Sequence, residues 1–147
     1  MPARVRATWL KNLQFEASIK DFPKFIMDEP EQFHGDDTGP SSIELMLSGI
    51  AGCIGTSFIY CLNRFGCKYD GLVVETTGEI HHNAQNLLRI TNIGISMEIK
   101  ADTDDEDNLE NIQVCYEHFA KYCVVTKSVE QGIPFDLKLN FKSSKND

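Results

Sequence analysis

The chain has 147 residues, of which 41% are hydrophobic and 24% are charged, the balance of a folded globular protein rather than of a disordered one. This length allows one hydrophobic core, so we predict a single domain over residues 1–147. The net charge of −8 disfavours anionic partners, so neither nucleic acid nor a membrane surface is expected.

The N-terminus and the cysteines favour a cytoplasmic protein with free thiols. No apolar segment of signal-peptide length follows residues 1–8, and no later stretch is an unbroken apolar run of membrane length. The five cysteines are odd in number and form no CxxC pair, so reduced thiols are expected rather than structural disulfides. The acidic run at 102–107 lacks the glycine and final glutamate of a calcium loop, and no metal or other cofactor is expected.

The N-terminal part of the chain predicts short strands followed by a loop. Extended segments are expected at 3–9, at 14–19 and near 25–26, with polar residues between them. Residues 28–40 are polar and contain several glycines and prolines, which predicts an exposed loop.

A long helix is predicted from Ser41 to Phe65. Ser41 or Ser42 can cap its start, and Gly66 can end it. Polar side chains are rare along this segment and small residues occupy its middle, so we expect the helix to be buried on most sides. The apolar residues that recur at steps of three and four are Ile43, Leu47, Ile50, Ile54, Phe58, Cys61 and Phe65.

The next part of the chain predicts a hairpin and then a second helix. Extended runs indicate strands at 72–80 and 88–100. Apolar residues at steps of three and four from Leu109 indicate a helix that breaks near Tyr122 and resumes through Val129.

A closing strand is predicted from Pro134 to Phe141, where apolar and polar residues alternate. Together the elements indicate an α+β fold in which antiparallel strands cover helices. The long helix has more apolar surface than one sheet of this chain covers easily, which favours a homodimer.

Two cysteines are candidates for chemistry, although their local settings alone favour a plain core role. Cys53 lies among small residues of the long helix, and Cys123 ends the apolar stripe of the second helix. Free cysteine is among the most buried residue types. The remaining three, Cys61, Cys67 and Cys115, are interpreted as structural.

Longer segments around both cysteines resemble the OsmC/Ohr-like family. Segment 39–53, Gly-Pro-Ser-Ser-Ile-Glu-Leu-Met-Leu-Ser-Gly-Ile-Ala-Gly-Cys, is similar to the central-helix signature that ends in the first family cysteine. Segment 121–125, Lys-Tyr-Cys-Val-Val, resembles the second-cysteine segment. Segments 3–6 and 13–15 resemble the first hairpin of the OsmC-like branch, which keeps nine residues from glutamate to cysteine.

The resemblance implies antiparallel sheets wrapped around two long central helices in an intertwined homodimer. It also implies thiol-dependent reduction of a small organic hydroperoxide, with Cys53, Cys123 and Glu44 as site residues. By this resemblance Cys53 would be the thiol that attacks the peroxide and becomes a sulfenic acid. Cys123 would then resolve the sulfenic acid as a disulfide, which a dithiol reductant reopens.

Glu44 matches the family glutamate, but the arginine that pairs with it in peroxide-reducing members has no clear match. Nine helical residues turn through about 900°, so Glu44 and Cys53 lie on opposite faces, and Glu44 would reach the cysteine of the other subunit. Equally, Glu44 is a first-turn carboxylate that the helix dipole favours. Arg4 and Arg6 lie early in the first strand, and a buried thiol without a fixed cation is expected to have a raised pKa and to react slowly.

Two functions therefore stay open. The first is the peroxidase chemistry that the resemblance implies. The alternative is an OsmC-like small-ligand-binding or stress-associated protein without peroxidase activity, in which the cysteines line an apolar pocket at the dimer interface.

Overall fold

The computed structural model describes residues 1–144, and its N-terminal part is a three-stranded antiparallel sheet in the order β1-β2-β3. The strands are β1 (Arg6–Lys11), β2 (Gln14–Ser18) and β3 (Phe25–Met27). Ala17 of β2 pairs with Ala7 and Phe25 and is almost fully buried. The three strands follow the predicted segments closely.

The loop after β3 is folded around Asp28 and is more ordered than its composition predicts. The Asp28 carboxylate is buried and accepts backbone N–H groups from Glu29 at 2.8 Å and Thr38 at 3.1 Å, as well as the Thr38 hydroxyl. A side chain at Gly35 or Gly39 would collide with the backbone of β3 or of the residues just after it. The prediction of an exposed loop was therefore wrong at its most important residue.

Replacing Asp28 with asparagine should lower the melting temperature, because one amide oxygen cannot accept every donor that faces the carboxylate. The Thr38 hydroxyl and the neighbouring amides lower the pKa of Asp28 below its ordinary value of 3.8. The unfolded chain therefore takes up the proton first as the pH falls, so the stabilisation is complete above that value and is lost on acidification through the folded-state pKa.

Thermal melts between about pH 6 and pH 3 would measure this effect as a steeper acid dependence in the wild type than in Asp28→Asn. Asp37→Asn is the matched control, since Asp37 is exposed and its left-handed backbone tolerates asparagine. Equal acid dependence in all three proteins would contradict the role of Asp28.

Helix α1 runs from Ser42 to Arg64, within one residue of the prediction at each end. The Ser41 hydroxyl caps it by accepting the N–H of Glu44 at 3.2 Å. Gly66 ends it in the left-handed conformation with φ of 65°, and the N–H of Cys67 returns to the carbonyl of Leu62 at 2.9 Å. Both caps were predicted from sequence.

The burial of α1 differs from the prediction. One stripe is buried within this chain, formed by Ile50, Ile54, Phe58 and Leu62, while other faces are half-buried or exposed. By length and composition the helix could cross a membrane, a property that core helices of soluble proteins share. The expectation of burial on most sides is therefore not met within a single chain.

The second sheet is a long antiparallel hairpin of β4 (Gly71–His82) and β5 (Leu88–Lys100). It packs on α1, where the Thr76 hydroxyl donates to the Leu47 carbonyl at 3.0 Å. Gly55 of α1 lies close enough to β4 that an added side chain would meet Val74. The α+β class with antiparallel sheets is confirmed.

Two further helices pack on α1 and complete the core. Helix α2 runs from Glu106 to His118, a 3₁₀ turn covers Phe119–Tyr122, and α3 runs from Val124 to Gln131. The predicted break near Tyr122 is therefore correct. The Phe58 and Phe119 rings pack at 5.1 Å between centroids and join α1 to this turn.

The predicted closing strand from Pro134 to Phe141 does not form within this chain. The segment has no regular secondary structure, and the side chains of Phe135 and Leu137 are 97% and 95% exposed. A strand is stabilised by a hydrogen-bonded neighbour, and no strand among residues 1–144 pairs with this segment. The alternating apolar pattern therefore has no pairing strand among the described residues.

Candidate active site

Cys53 and Cys123 lie side by side although 70 residues separate them in sequence. The Cys123 thiol points at the backbone carbonyl of Cys53 with a sulfur–oxygen distance of 4.0 Å. Cys123 is 1% exposed, whereas Cys53 is only half-buried. The more accessible thiol therefore lies beside a second thiol that solvent scarcely reaches.

The first turn of α3 contacts the Cys53 sulfur directly. The N–H of Val125 donates to the Cys53 Sγ at 3.4 Å, and Cys123 is the residue that precedes the helix. The first N–H groups of a helix have no intrahelical partner, and the dipole gives this end a partial positive charge. A hydrogen-bond donor at the start of α3 therefore faces the Cys53 sulfur.

Burial raises the pKa of the Cys123 thiol, and the adjacent Cys53 thiol acts in the same direction. A hydrogen bond with Ser57 and the positive charge of Lys127 oppose the rise without cancelling it. Cys123 is thus held mainly as a neutral thiol beside the half-buried Cys53.

Glu44 is not brought to this pair within one chain. It lies exposed in the first turn of α1, and nine residues of helix separate it from Cys53 by about 13 Å along the axis. Arg4 and Arg6 are exposed at the N-terminal sheet. Within residues 1–144 the ion pairs are Lys24–Glu16 and Lys127–Glu130, so neither arginine pairs with Glu44 here.

Sequence reasoning missed three groups of the site: the hydroxyl of Ser57, the amine of Lys127 and the backbone N–H of Val125. Ser57 follows Cys53 by four residues, and Lys127 follows Cys123 by four. That spacing places each pair on one helical face, so both side chains could have been found. The Val125 amide had no sequence signal, because every residue except proline carries one.

An apolar cleft of about 700 Å³ opens between α1, β5 and α2. Neither Cys53 nor Cys123 lines it. The residues that line it include Ile54, Phe58, Met97, Ile112, Tyr116 and Phe119. The cleft and the two-cysteine site are therefore separate features of the chain.

Fold and site together define an α+β protein with a pair of free thiols at the start of a short helix. The family model described as OsmC-like protein matches residues 35–138, and the chain belongs to this family. The match includes both cysteines and Glu44. No curated protein matches the sequence.

Solved structures of this family share the fold at low sequence identity. An OsmC-like protein of unknown function from Vibrio cholerae is 10% identical with a TM-score of 0.76, covering 88% of this chain and 94% of its own. An OsmC-like protein from Mycoplasma pneumoniae is 16% identical with a TM-score of 0.68, covering 88% of each chain. The organic hydroperoxide resistance protein OhrB of Bacillus subtilis is 18% identical with a TM-score of 0.58, covering 88% and 90%.

Proposed function

We propose that the protein reduces organic hydroperoxides with Cys53 as the attacking thiol and Cys123 as the resolving thiol. One observation supports this most strongly. The Cys53 sulfur is half-buried, accepts the Val125 N–H at 3.4 Å and has the Cys123 thiol beside it. The name of the Bacillus subtilis relative, an organic hydroperoxide resistance protein, supports the substrate class.

The reaction divides into three balanced steps. The Cys53 thiolate attacks the peroxide oxygen that carries hydrogen, the O–O bond breaks, and an alcohol leaves after protonation, which gives a sulfenic acid. The Cys123 sulfur attacks the sulfenic sulfur, and water leaves as the disulfide forms. A dithiol reductant then supplies two electrons and two protons, which restores both thiols.

The two sulfurs have environments suited to different roles. A thiolate is the nucleophile in peroxide reduction, and the Val125 N–H at the start of α3 donates to the Cys53 sulfur, whereas the family uses an arginine. Cys123 is buried and has a raised pKa, so it stays protonated and is shielded from peroxide until the sulfenic acid forms next to it. The burial and protonation of Cys123 thus protect the resolving thiol from direct oxidation.

A homodimer is the second part of the proposal. Contiguous exposed apolar surface marks an interaction site, and this chain exposes Trp9 in the N-terminal sheet as well as the C-terminal segment 135–141. Gly49 and Gly52 on α1 have no atom near the place where a side chain would be, so a second helix can approach closely. In such a dimer Glu44 of one subunit would reach the Cys53 site of the other.

Light scattering is expected to give the mass of a dimer for the wild type. Leu137→Lys should weaken the dimer by roughly tenfold or more, because it puts an unpaired charge on the apolar face of the segment. Lys138→Gln is the matched control, because residue 138 points to the opposite face in an alternating strand. A monomeric wild type, or equal effects of the two substitutions, would refute the proposed interface.

Thiol titration tests the proposed activity. One equivalent of cumene hydroperoxide should remove two thiols per folded chain, and a dithiol should restore both. The matched comparison is chain denatured before peroxide is added, which measures unassisted thiol oxidation. If folded protein loses thiols no faster than denatured protein, the peroxidase proposal fails.

That negative result would favour the second candidate function, binding of a small apolar ligand. The cleft of about 700 Å³ has the size and apolar lining of a ligand site, and its separation from the cysteines means that it does not need them. In that case a bound apolar fluorophore should be displaced by ligand equally well from wild type and from Cys53→Ser.

A further inference from the structure

The hydroxyl of Thr126 is buried in α3 without a hydrogen-bond partner. Among residues 1–144 it is the only buried side-chain oxygen or nitrogen of which this is true. Buried polar groups are nearly always hydrogen-bonded, and an unpaired one costs folding free energy, so each exception needs an explanation. One explanation is a group that finds its partner during a reaction and not in the resting protein.

Thr126 lies next to both thiols of the candidate site. It follows Val125, whose N–H donates to the Cys53 sulfur at 3.4 Å, and it comes three residues after Cys123, which precedes α3. The third residue of a helix lies on the same face as the residue before the helix, and its side chain is directed towards the helix start. The Thr126 side chain is therefore directed back towards Cys123.

The packing of α3 turns this side chain towards α1. The helix packs on α1 and on the 3₁₀ turn at 119–122. The side chains of Val124 and Val125 are 75% and 41% exposed, so they form the outer side of the first turn. The buried Thr126 oxygen therefore lies on the inner side, where α1 carries Cys53.

The start of α3 is held without the Thr126 hydroxyl. The Cys123 N–H donates to the Ala120 carbonyl at 3.2 Å, and the Cys123 carbonyl accepts the Lys127 N–H at 3.0 Å. These are the backbone groups that a threonine at this position could bind. Within the described chain the hydroxyl binds neither of them, so it remains able to donate.

The proposed reaction creates an acceptor beside this hydroxyl. When the Cys53 thiolate reduces a peroxide, one oxygen atom stays on the Cys53 sulfur. The Cys123 sulfur then attacks that sulfur, the S–S bond forms, and the electrons of the S–O bond leave with the oxygen. The proton of the Cys123 thiol ends on the same oxygen, so water is released. Negative charge therefore develops on the oxygen during this step.

We propose that the Thr126 hydroxyl donates a hydrogen bond to this oxygen and speeds the resolution of the sulfenic acid by Cys123. This role of Thr126 rests on the proposed peroxidase function and adds a residue to it. A fixed donor stabilises the charge that develops on the leaving oxygen and is itself unchanged after the turnover. The hydroxyl is unpaired in the reduced protein because its acceptor forms only after peroxide has reacted.

Two substitutions test this role: Thr126→Val removes the hydroxyl and keeps the shape of the side chain, whereas Thr126→Ser keeps the hydroxyl. One equivalent of cumene hydroperoxide is added together with dimedone, which traps sulfenic acid that Cys123 has not resolved. The ratio of dimedone adduct on Cys53 to Cys53–Cys123 linked peptide should rise by roughly tenfold or more in Thr126→Val, because a hydrogen bond to a developing charge is lost. Thr126→Ser should give the wild-type ratio, and the first turnover should consume peroxide equally fast in all three proteins.

Ser128→Ala is the matched control, since residue 128 lies about 200° around α3 from Thr126, and it should leave the ratio unchanged. The melting temperature of reduced Thr126→Val should equal or exceed that of the wild type, because the lost hydroxyl had no partner. An unchanged ratio in Thr126→Val, an equal rise in Ser128→Ala, or a lower melting temperature of Thr126→Val would overturn the role of Thr126. Wild-type protein with neither adduct nor linkage would refute the peroxidase proposal itself, and the role of Thr126 with it.

Discussion

Replacing Cys53 with serine is expected to lower the rate of cumene hydroperoxide consumption by roughly 100-fold or more, because a serine hydroxyl stays protonated and is a far weaker nucleophile than a thiolate. The substitution changes one atom at a half-buried position, so the fold should be retained. Peroxide loss followed by a ferrous-ion assay, with dithiothreitol as reductant, measures the effect.

Thr56→Ser is the matched control for this substitution. It changes a side chain of similar size on the exposed side of α1, one turn beyond Cys53. The Thr56→Ser protein should consume cumene hydroperoxide at the same rate as the wild type. If Cys53→Ser keeps most of its activity while its circular dichroism is unchanged, another residue performs the attack and Cys53 is a packing residue.

Replacing Cys123 with serine should have a different and equally large effect. The first turnover is retained, since the attacking thiol and the Val125 amide are untouched, but the sulfenic acid on Cys53 has no thiol beside it. Excess peroxide should then convert it to the sulfinic acid, which dithiothreitol cannot reduce. Activity should be lost over a few turnovers instead of being absent from the start.

Intact-mass spectra after excess peroxide would follow this loss as the addition of two oxygen atoms to Cys123→Ser and not to the wild type. Cys115→Ser is a useful comparison, because Cys115 is equally buried but lies on α2 and has no role in the proposed reaction. If Cys123→Ser turns over indefinitely with dithiothreitol and shows no added oxygen, Cys123 is not the resolving thiol.

Helices and strands were predictable from the sequence where the residues that determine them lie within a few positions of one another. The apolar spacing, the Ser41 cap and the positive φ of Gly66 all act within a few residues, so both ends of α1 could be read from sequence. The prediction of a C-terminal strand was wrong. Alternating apolar and polar residues show that one face of the segment is apolar, but they do not show which strand it would pair with.

The buried Asp28 shows a second limit of sequence reasoning. Composition placed this segment in solvent, but its carboxylate turns inward to satisfy backbone N–H groups of Glu29, Asp36 and Thr38. A buried charge is tolerated where hydrogen bonds compensate its lost hydration, and such compensation depends on the path of the loop. A polar loop and a polar core of this kind have the same composition.

The candidate site was predictable in part. Cys53 lies among small residues of the long helix and Cys123 ends the apolar stripe of the second helix. A core role is the ordinary interpretation of both settings, and only the resemblance of longer segments paired them. The Val125 amide became visible with the structure, because its role comes from the start of α3 and not from the identity of the side chain. It is a donor to the Cys53 sulfur in a chain whose sequence offers no clear match to the family arginine.

Peptide mapping of the wild-type protein after one equivalent of cumene hydroperoxide, without reductant, tests the pairing of the two thiols most directly. We predict one new linked peptide that joins Cys53 to Cys123 and disappears when a dithiol is added. Unmodified Cys53 and Cys123 after the peroxide has been mixed with folded protein, or a sulfinic acid on Cys53 with Cys123 still free, would contradict it.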